Sequence, residues 1–143
     1  MQHTNTDYGY LILLEEGTEI MAGLRSFCTA QELSSGTFTA IGGVSCVELG
    51  YFNTETAQYE TKVFQEQLEV LSITGNLATC DNELIIHAHI VLSARDYSVI
   101  GGHLVEGSAK PMLEVHLFKD THAVNRVVSS SGSALKQLAL KNP

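Results

Sequence analysis

Apolar residues recur along this chain with two different periods, and the switch between them organises the reading. Tyr8 to Leu14 is rich in β-forming residues and predicts a strand, closed by the turn Glu15-Glu16-Gly17. Ile20, Leu24, Phe27 and Cys28 then fall at i, i+4, i+7 and i+8, which is one face of a helix. Thr18 is positioned to cap that helix, and Glu19 lies at its positive end. Ser34-Ser35-Gly36 ends it, and from there the period becomes two. Thr37–Ile41, Val44–Phe52, Tyr59–Phe64, Leu68–Ala78, Leu84–Leu92, Val99–Val105 and Met112–Lys119 are predicted strands, separated by Gly, Asn and Asp signals. Ser129-Ser130-Ser131-Gly132-Ser133 predicts a loop before a short terminal helix, Ala134–Leu140. One early helix followed by a run of hairpins predicts an α+β fold: a mostly antiparallel β-sheet with one main packed helix.

Length and composition narrow the class. A chain of 143 residues buries a full core without disulfide or metal staples. Its residues are 44% hydrophobic and 17% charged, against roughly a quarter charged in an average protein. That excludes a disordered chain and leaves apolar surface for a partner subunit. No apolar run approaches the roughly 20 residues that cross a bilayer. No basic residue precedes the first apolar patch, so a signal peptide is not expected and a cytoplasmic protein is. Cys28, Cys46 and Cys80 are widely spaced and form no C-x-x-C pair, which argues for buried small hydrophobes rather than a thiolate zinc or thioredoxin-type site. The formal net charge is −8, and no stretch clusters Lys and Arg. The electrostatic footprint of a nucleic-acid binder is missing, so DNA is a disfavoured partner.

The sharpest chemical feature is Ile85-Ile86-His87-Ala88-His89-Ile90-Val91-Leu92. On a strand, His87 and His89 point to one side, and Ile86, Ala88, Ile90 and Leu92 form the core row on the other. Imidazoles at i and i+2 are rooted about 7 Å apart, a span that one metal ion bridges. A hairpin pivoting on Asp96 sets His89 opposite His103, with His87 diagonal to it on the same face. Gly101 and Gly102 are expected to leave room there for an ion. Three imidazoles are the ligand count of open zinc sites, although a plain polar strand face accounts for H-x-H as well.

Other candidates are weaker. Leu113, Val115 and Leu117 form a core row, and Met112, Glu114 and His116 face away from it. Glu114 fits either an acceptor for a ligating imidazole or a solvated charge. His116 reads as a surface residue, with a fourth ligand as the alternative. Glu69 shares a row with Leu71 and Ile73, where a carboxylate wants a partner. General base beside the metal, intersubunit hydrogen-bonder and edge residue are its three readings. His3 and His122 read as bland. Gly42-Gly43 lacks the pattern of a phosphate cradle and predicts a bend or a close strand approach. No G-x-S-x-G elbow is present.

In order, Ile41-Gly42-Gly43-Val44, Leu68-Glu69-Val70-Leu71-Ser72-Ile73-Thr74-Gly75, His87-Ala88-His89, Gly101-Gly102-His103-Leu104 and Glu114-Val115 resemble the plant and prokaryote conserved (PPC) domain family, in its stand-alone prokaryotic form. The likeness runs from about Tyr8 to about Lys119, so residues 1–143 read as a single domain, with a core at 8–119 and a tail at 120–143. The resemblance implies an antiparallel sheet with a packed helix, assembled as a homotrimer. It implies a zinc site of three histidines, matched here by His87, His89 and His103. It also implies a DNA-binding label, because plant members join this domain to AT-hook motifs. This chain carries no Arg-Gly-Arg hook, and Glu66-Gln67-Leu68-Glu69-Val70-Leu71 stands where plant members have Gly-Arg-Phe-Glu-Ile-Leu. The expected protein is therefore a small homotrimer with a three-histidine site for zinc or another divalent metal, its molecular activity open. The alternatives are a DNA-binding transcriptional regulator, and a metal-dependent hydrolase or lyase acting on a small-molecule ligand with Glu69 or Glu114 as proton shuttle. No membrane partner is expected.

Overall fold

Alternation of period two becomes strand almost throughout the computed structural model, which describes residues 1–129 and 135–140. The elements in chain order are β1 (Gln2–Thr6), β2 (Gly9–Glu15), α1 (Ile20–Ala30), β3 (Gly36–Asn53), β4 (Gln58–Phe64), β5 (Leu68–Cys80), β6 (Glu83–Ser93), β7 (Val99–Lys119), β8 (Arg126–Val128) and β9 (Lys136–Leu138). The mostly antiparallel sheet with one helix is as the sequence predicts.

Seven strands form one antiparallel sheet in the order β1-β2-β7-β6-β5-β3-β4, and β7 also pairs with β3. That extra pairing closes a ring. The first half of β3 bonds to β5, β5 to β6, and β6 to the start of β7. β7 then returns along most of β3, from Gly50↔His103 to Gly36↔Lys119. The core row Ile86, Ala88, Ile90 and Leu92 is buried as expected, and so is the row Leu113, Val115 and Leu117. Ile20, Leu24, Phe27 and Cys28 of α1 are buried against them.

Several expectations are corrected. The two strands predicted on either side of Gly42-Gly43 are one strand, β3. A Cβ on Gly42 would lie 2.3 Å from the Met112 carbonyl oxygen, and one on Gly43 2.3 Å from that of Lys110. The glycines thus permit a close strand approach at a register shift, as one of their two readings held. β7 is likewise continuous, because the turn-like residues Glu106 to Ala109 find partners in Val44 to Glu48 of β3. The helix is capped by Glu19 rather than Thr18. The Glu19 carboxylate accepts from Met21 N at 3.2 Å and Ala22 N at 2.5 Å, and also from Gly107 N of β7 at 3.0 Å. Thr18 is occupied otherwise, its carbonyl accepting from Ala109 N at 3.0 Å.

β1 was not expected, since all five of its residues are exposed and polar and it gains order through its ladder to β2. At the other end, the predicted terminal helix is overturned. Lys136–Leu138 is a strand paired with Arg126–Val128, and the fold of so short a segment is decided by its partner rather than by propensity. The expected serine-rich loop at 130–133 and Ala134 lie outside the described residues.

Candidate metal centre

The β6–β7 hairpin pairs His89 with His103, Ile90 with Gly102, Val91 with Gly101 and Ser93 with Val99. This is the register that a pivot on Asp96 predicts. The turn is held by Asp96, whose Oδ1 accepts from Ser98 N at 3.0 Å and Ser98 Oγ at 2.7 Å, and by Tyr97 N and Ala94 N bonds. His87, two residues before His89, reaches the same place from the next outward position.

The three rings meet. Their centroids lie 5.2 Å apart for His87–His89, 5.1 Å for His87–His103 and 5.6 Å for His89–His103. One nitrogen from each of the three falls within 4.8 Å of the others, the only such group of three or more His, Cys, Asp or Glu among the described residues. Burial pushes the His87 imidazole down to about 4, and the charges of His103, Arg126 and His89 add to the effect. His103 is lowered by burial and then by His89. At neutral pH His87 and His103 are therefore uncharged, and each keeps a lone pair for a Lewis acid. His103 Nδ1 is buried with no hydrogen-bond partner, a costly state for a nitrogen in a finished core. The donor set fits a divalent metal such as zinc, and the orphaned nitrogen fits it too.

Gly101 shares the face of His103, but its role differs from the expected one of making room for an ion. A Cβ there would lie 2.6 Å from the Ile90 carbonyl oxygen, so the close approach of β6 requires glycine. Gly102 faces inward, against Leu49 and the Gly50 carbonyl.

The carboxylate candidates do not join the cluster. Glu69 pairs with Ser93, at the turn end of the hairpin. A bulge between Val70 and Ser72 moves it and Leu71 to the exposed side while Ile73 is buried, so the shared row inferred from alternation is broken. Glu114 pairs with Leu13 and Ile41, more than ten residues along β7 from His103. His116 is exposed and lies opposite Thr39 and Leu11, with Thr39 and Thr74 separating it from His89 across the sheet. His3 packs edge-on to Phe27 at 5.0 Å, and the carbonyl of His122 accepts from Ser35 Oγ at 2.7 Å.

Two neighbours of the cluster were missed by sequence reasoning. The Tyr59 ring of β4 lies 5.2 Å from His103. A glycine inside a strand, Gly50, was the available signal. Arg126 is buried and donates from Nη2 to Asn76 Oδ1 at 2.5 Å, where Asn76 is the register partner of His87. No local pattern marks a contact fifty residues apart.

Comparison with known proteins agrees with this architecture. The family model described as the Plants and Prokaryotes Conserved (PCC) domain matches residues 1–119, and the chain belongs to that family. No curated protein matches it. Among solved structures, a supposed DNA-binding protein of Bacteroides thetaiotaomicron superposes with a TM-score of 0.92 at 26% identity, covering 96% of this chain and 95% of its own. A plant- and prokaryote-conserved protein of Pyrococcus horikoshii gives 0.84 at 28%, with 99% and 97% covered. A protein of Archaeoglobus fulgidus, described as metal-containing, gives 0.84 at 26%, with 98% and 100% covered.

Proposed function

We propose that this member of the family is a metal-binding protein that holds one divalent ion, zinc, on His87, His89 and His103. The observation that carries the reading is the meeting of three imidazoles, one of them with an orphaned buried nitrogen. The description of the Archaeoglobus fulgidus neighbour as metal-containing supports it. A zinc ion held by three protein ligands keeps a position for water or a substrate atom and serves as a Lewis acid. What the chain itself supplies is three imidazole nitrogens within 4.8 Å of one another and a wall of Tyr59 against His103.

We infer further that the protein acts as a homotrimer in the cytoplasm. Ile41, Leu71, Val91, Val99 and Met112 are exposed large hydrophobics on outward positions of the sheet, an apolar surface of the kind that subunits share. Cys28, Cys46 and Cys80 are free thiols, which suits a reducing compartment. Among the described residues no helix is long and apolar enough to cross a membrane. The second reading, a DNA-binding regulator, is favoured by the description of the Bacteroides neighbour and opposed by a net charge of −8.

The test is metal analysis of protein purified without an affinity tag, followed by zinc titration of the stripped protein. One equivalent per chain, lost in His89→Ala, is expected. A wild-type chain that neither retains zinc nor takes it up overturns the reading.

A further inference from the structure

A groove of about 530 Å³ runs beside the histidines on the outward side of the sheet. It is lined by Thr37, Thr39, Thr74, Asn76, His87 and Phe118, among others, and no carboxylate is among its lining residues. In a chain with sixteen acids and eight bases, a groove of this size without a single acid is a selective environment.

Asn76 gives the groove its polarity. A guanidinium can only donate, so the bond from Arg126 Nη2 commits the Asn76 oxygen and leaves the amide NH2 as the group Asn76 offers to the groove. Arg126 is in turn fixed by Nη1, which donates to the Lys136 carbonyl at 2.6 Å, while its buried Nε has no partner. A positive charge thus stands directly behind the amide. Thr37 and Asn76 are register partners, as are Thr39 and Thr74, so two hydroxyl-bearing rows run along the floor beside that amide. Phe118, partly exposed, is the register partner of Thr37 on its other side.

We propose that this groove binds a small molecule bearing an oxyanion, a carboxylate or a phosphate, next to the three histidines. The oxyanion accepts from the Asn76 amide and the Thr37 and Thr39 hydroxyls, and Phe118 supports the carbon skeleton. The inference rests on the metal-binding reading only for what lies at the histidine end of the ligand; the oxyanion contacts belong to the chain alone.

The experiment follows the Asn76 side-chain amide signal of ¹⁵N-labelled protein, zinc-loaded and metal-free, during titration with lactate and with inorganic phosphate. A saturable shift at Asn76 is expected with one of the two probes, and which one identifies the source of the oxyanion. Asn76→Asp should weaken that binding by about tenfold or more, the scale of a hydrogen bond to a charged group, with zinc stoichiometry unchanged. Thr39→Val should weaken it several-fold and decides the matter if Asn76→Asp does not fold. Binding that leaves the Asn76 amide unmoved and is insensitive to both substitutions overturns the proposal, as does the lack of saturation by either probe at millimolar concentration. Loss of the metal reading alone is distinguishable: the protein then takes up no zinc, while the Asn76 shift in the metal-free sample still upholds the groove.

Discussion

The Tyr59 ring lies 5.2 Å from the His103 ring, tilted by 41°, and Gly50 makes that approach possible. Gly50 is the register partner of both Thr61 and His103. A Cβ on it would stand 3.2 Å from Tyr59 Cδ1 and 3.6 Å from His103 Cβ. Tyr59→Ala should lower stability by about 0.5–1.5 kcal/mol, the worth of an aromatic pair. It should also speed the release of zinc to a competing chelator. Thermal melts and stopped-flow release in the presence of a chromophoric chelator measure both.

Replacing a ligand should act differently from replacing its neighbour on the same row. His89→Ala is expected to weaken zinc binding by more than about 100-fold, beyond the effect of losing an outer partner of a ligand. His116→Ala should leave it unchanged, because Thr39 and Thr74 stand between that residue and the cluster. Competition titrations read the difference. Equal losses in the two variants would remove the three-histidine assignment.

The metal-free protein should lose stability in mild acid. In the unfolded chain His87 takes up its proton near pH 6.5, whereas in the fold burial and neighbouring charges hold it down to about 4. Between those values the unfolded state binds more protons, so the stability present above pH 6.5 declines as the pH falls through the window. His103, lowered for the same reason, contributes in the same direction. Urea midpoints measured from pH 7 to pH 4 should fall, and His87→Gln should flatten the slope.

Gly42→Ala should be among the most damaging single substitutions. The residue has φ +141°, and its added methyl would meet the Met112 carbonyl oxygen at 2.3 Å and Leu113 Cα at 2.9 Å. The β7 backbone it would meet is held in the sheet and has nowhere to retreat. A loss of about 2–4 kcal/mol is expected in denaturant unfolding, from strain and overpacking together.

Glu19→Ala removes a cap and a tether at once. About 1–2 kcal/mol is expected, toward the upper end for an N-cap because Gly107 N loses its acceptor as well. Glu19→Gln keeps an oxygen for these donors and should recover part of the loss.

The parts of the fold legible in the sequence were those decided by neighbours along the chain. Alternation set the core row of β6, and turn-forming residues around Asp96 set the register that brings His89 to His103. The parts that escaped depend on distant backbone. β3 and β7 are single long strands because each supplies the other with partners through glycines and a serine that otherwise signal turns. The Glu69 row failed at one bulge, which shifts every later residue to the other face. The Asn76–Arg126 contact and the Tyr59 wall join segments with no shared local pattern, so only the folded sheet reveals them.

The closed ring of β3, β5, β6 and β7 has a consequence for behaviour at high concentration. Of the seven strands, only β1 and β4 lie at the open ends of the order, where unpaired amides could recruit a strand from another molecule. β1 carries Gln2, His3, Thr4, Asn5 and Thr6, and β4 places Glu60 and Lys62 along its length. Neither offers the uncharged apolar ribbon that seeds cross-β aggregation, so neither open end of the seven-stranded sheet invites a strand from another molecule.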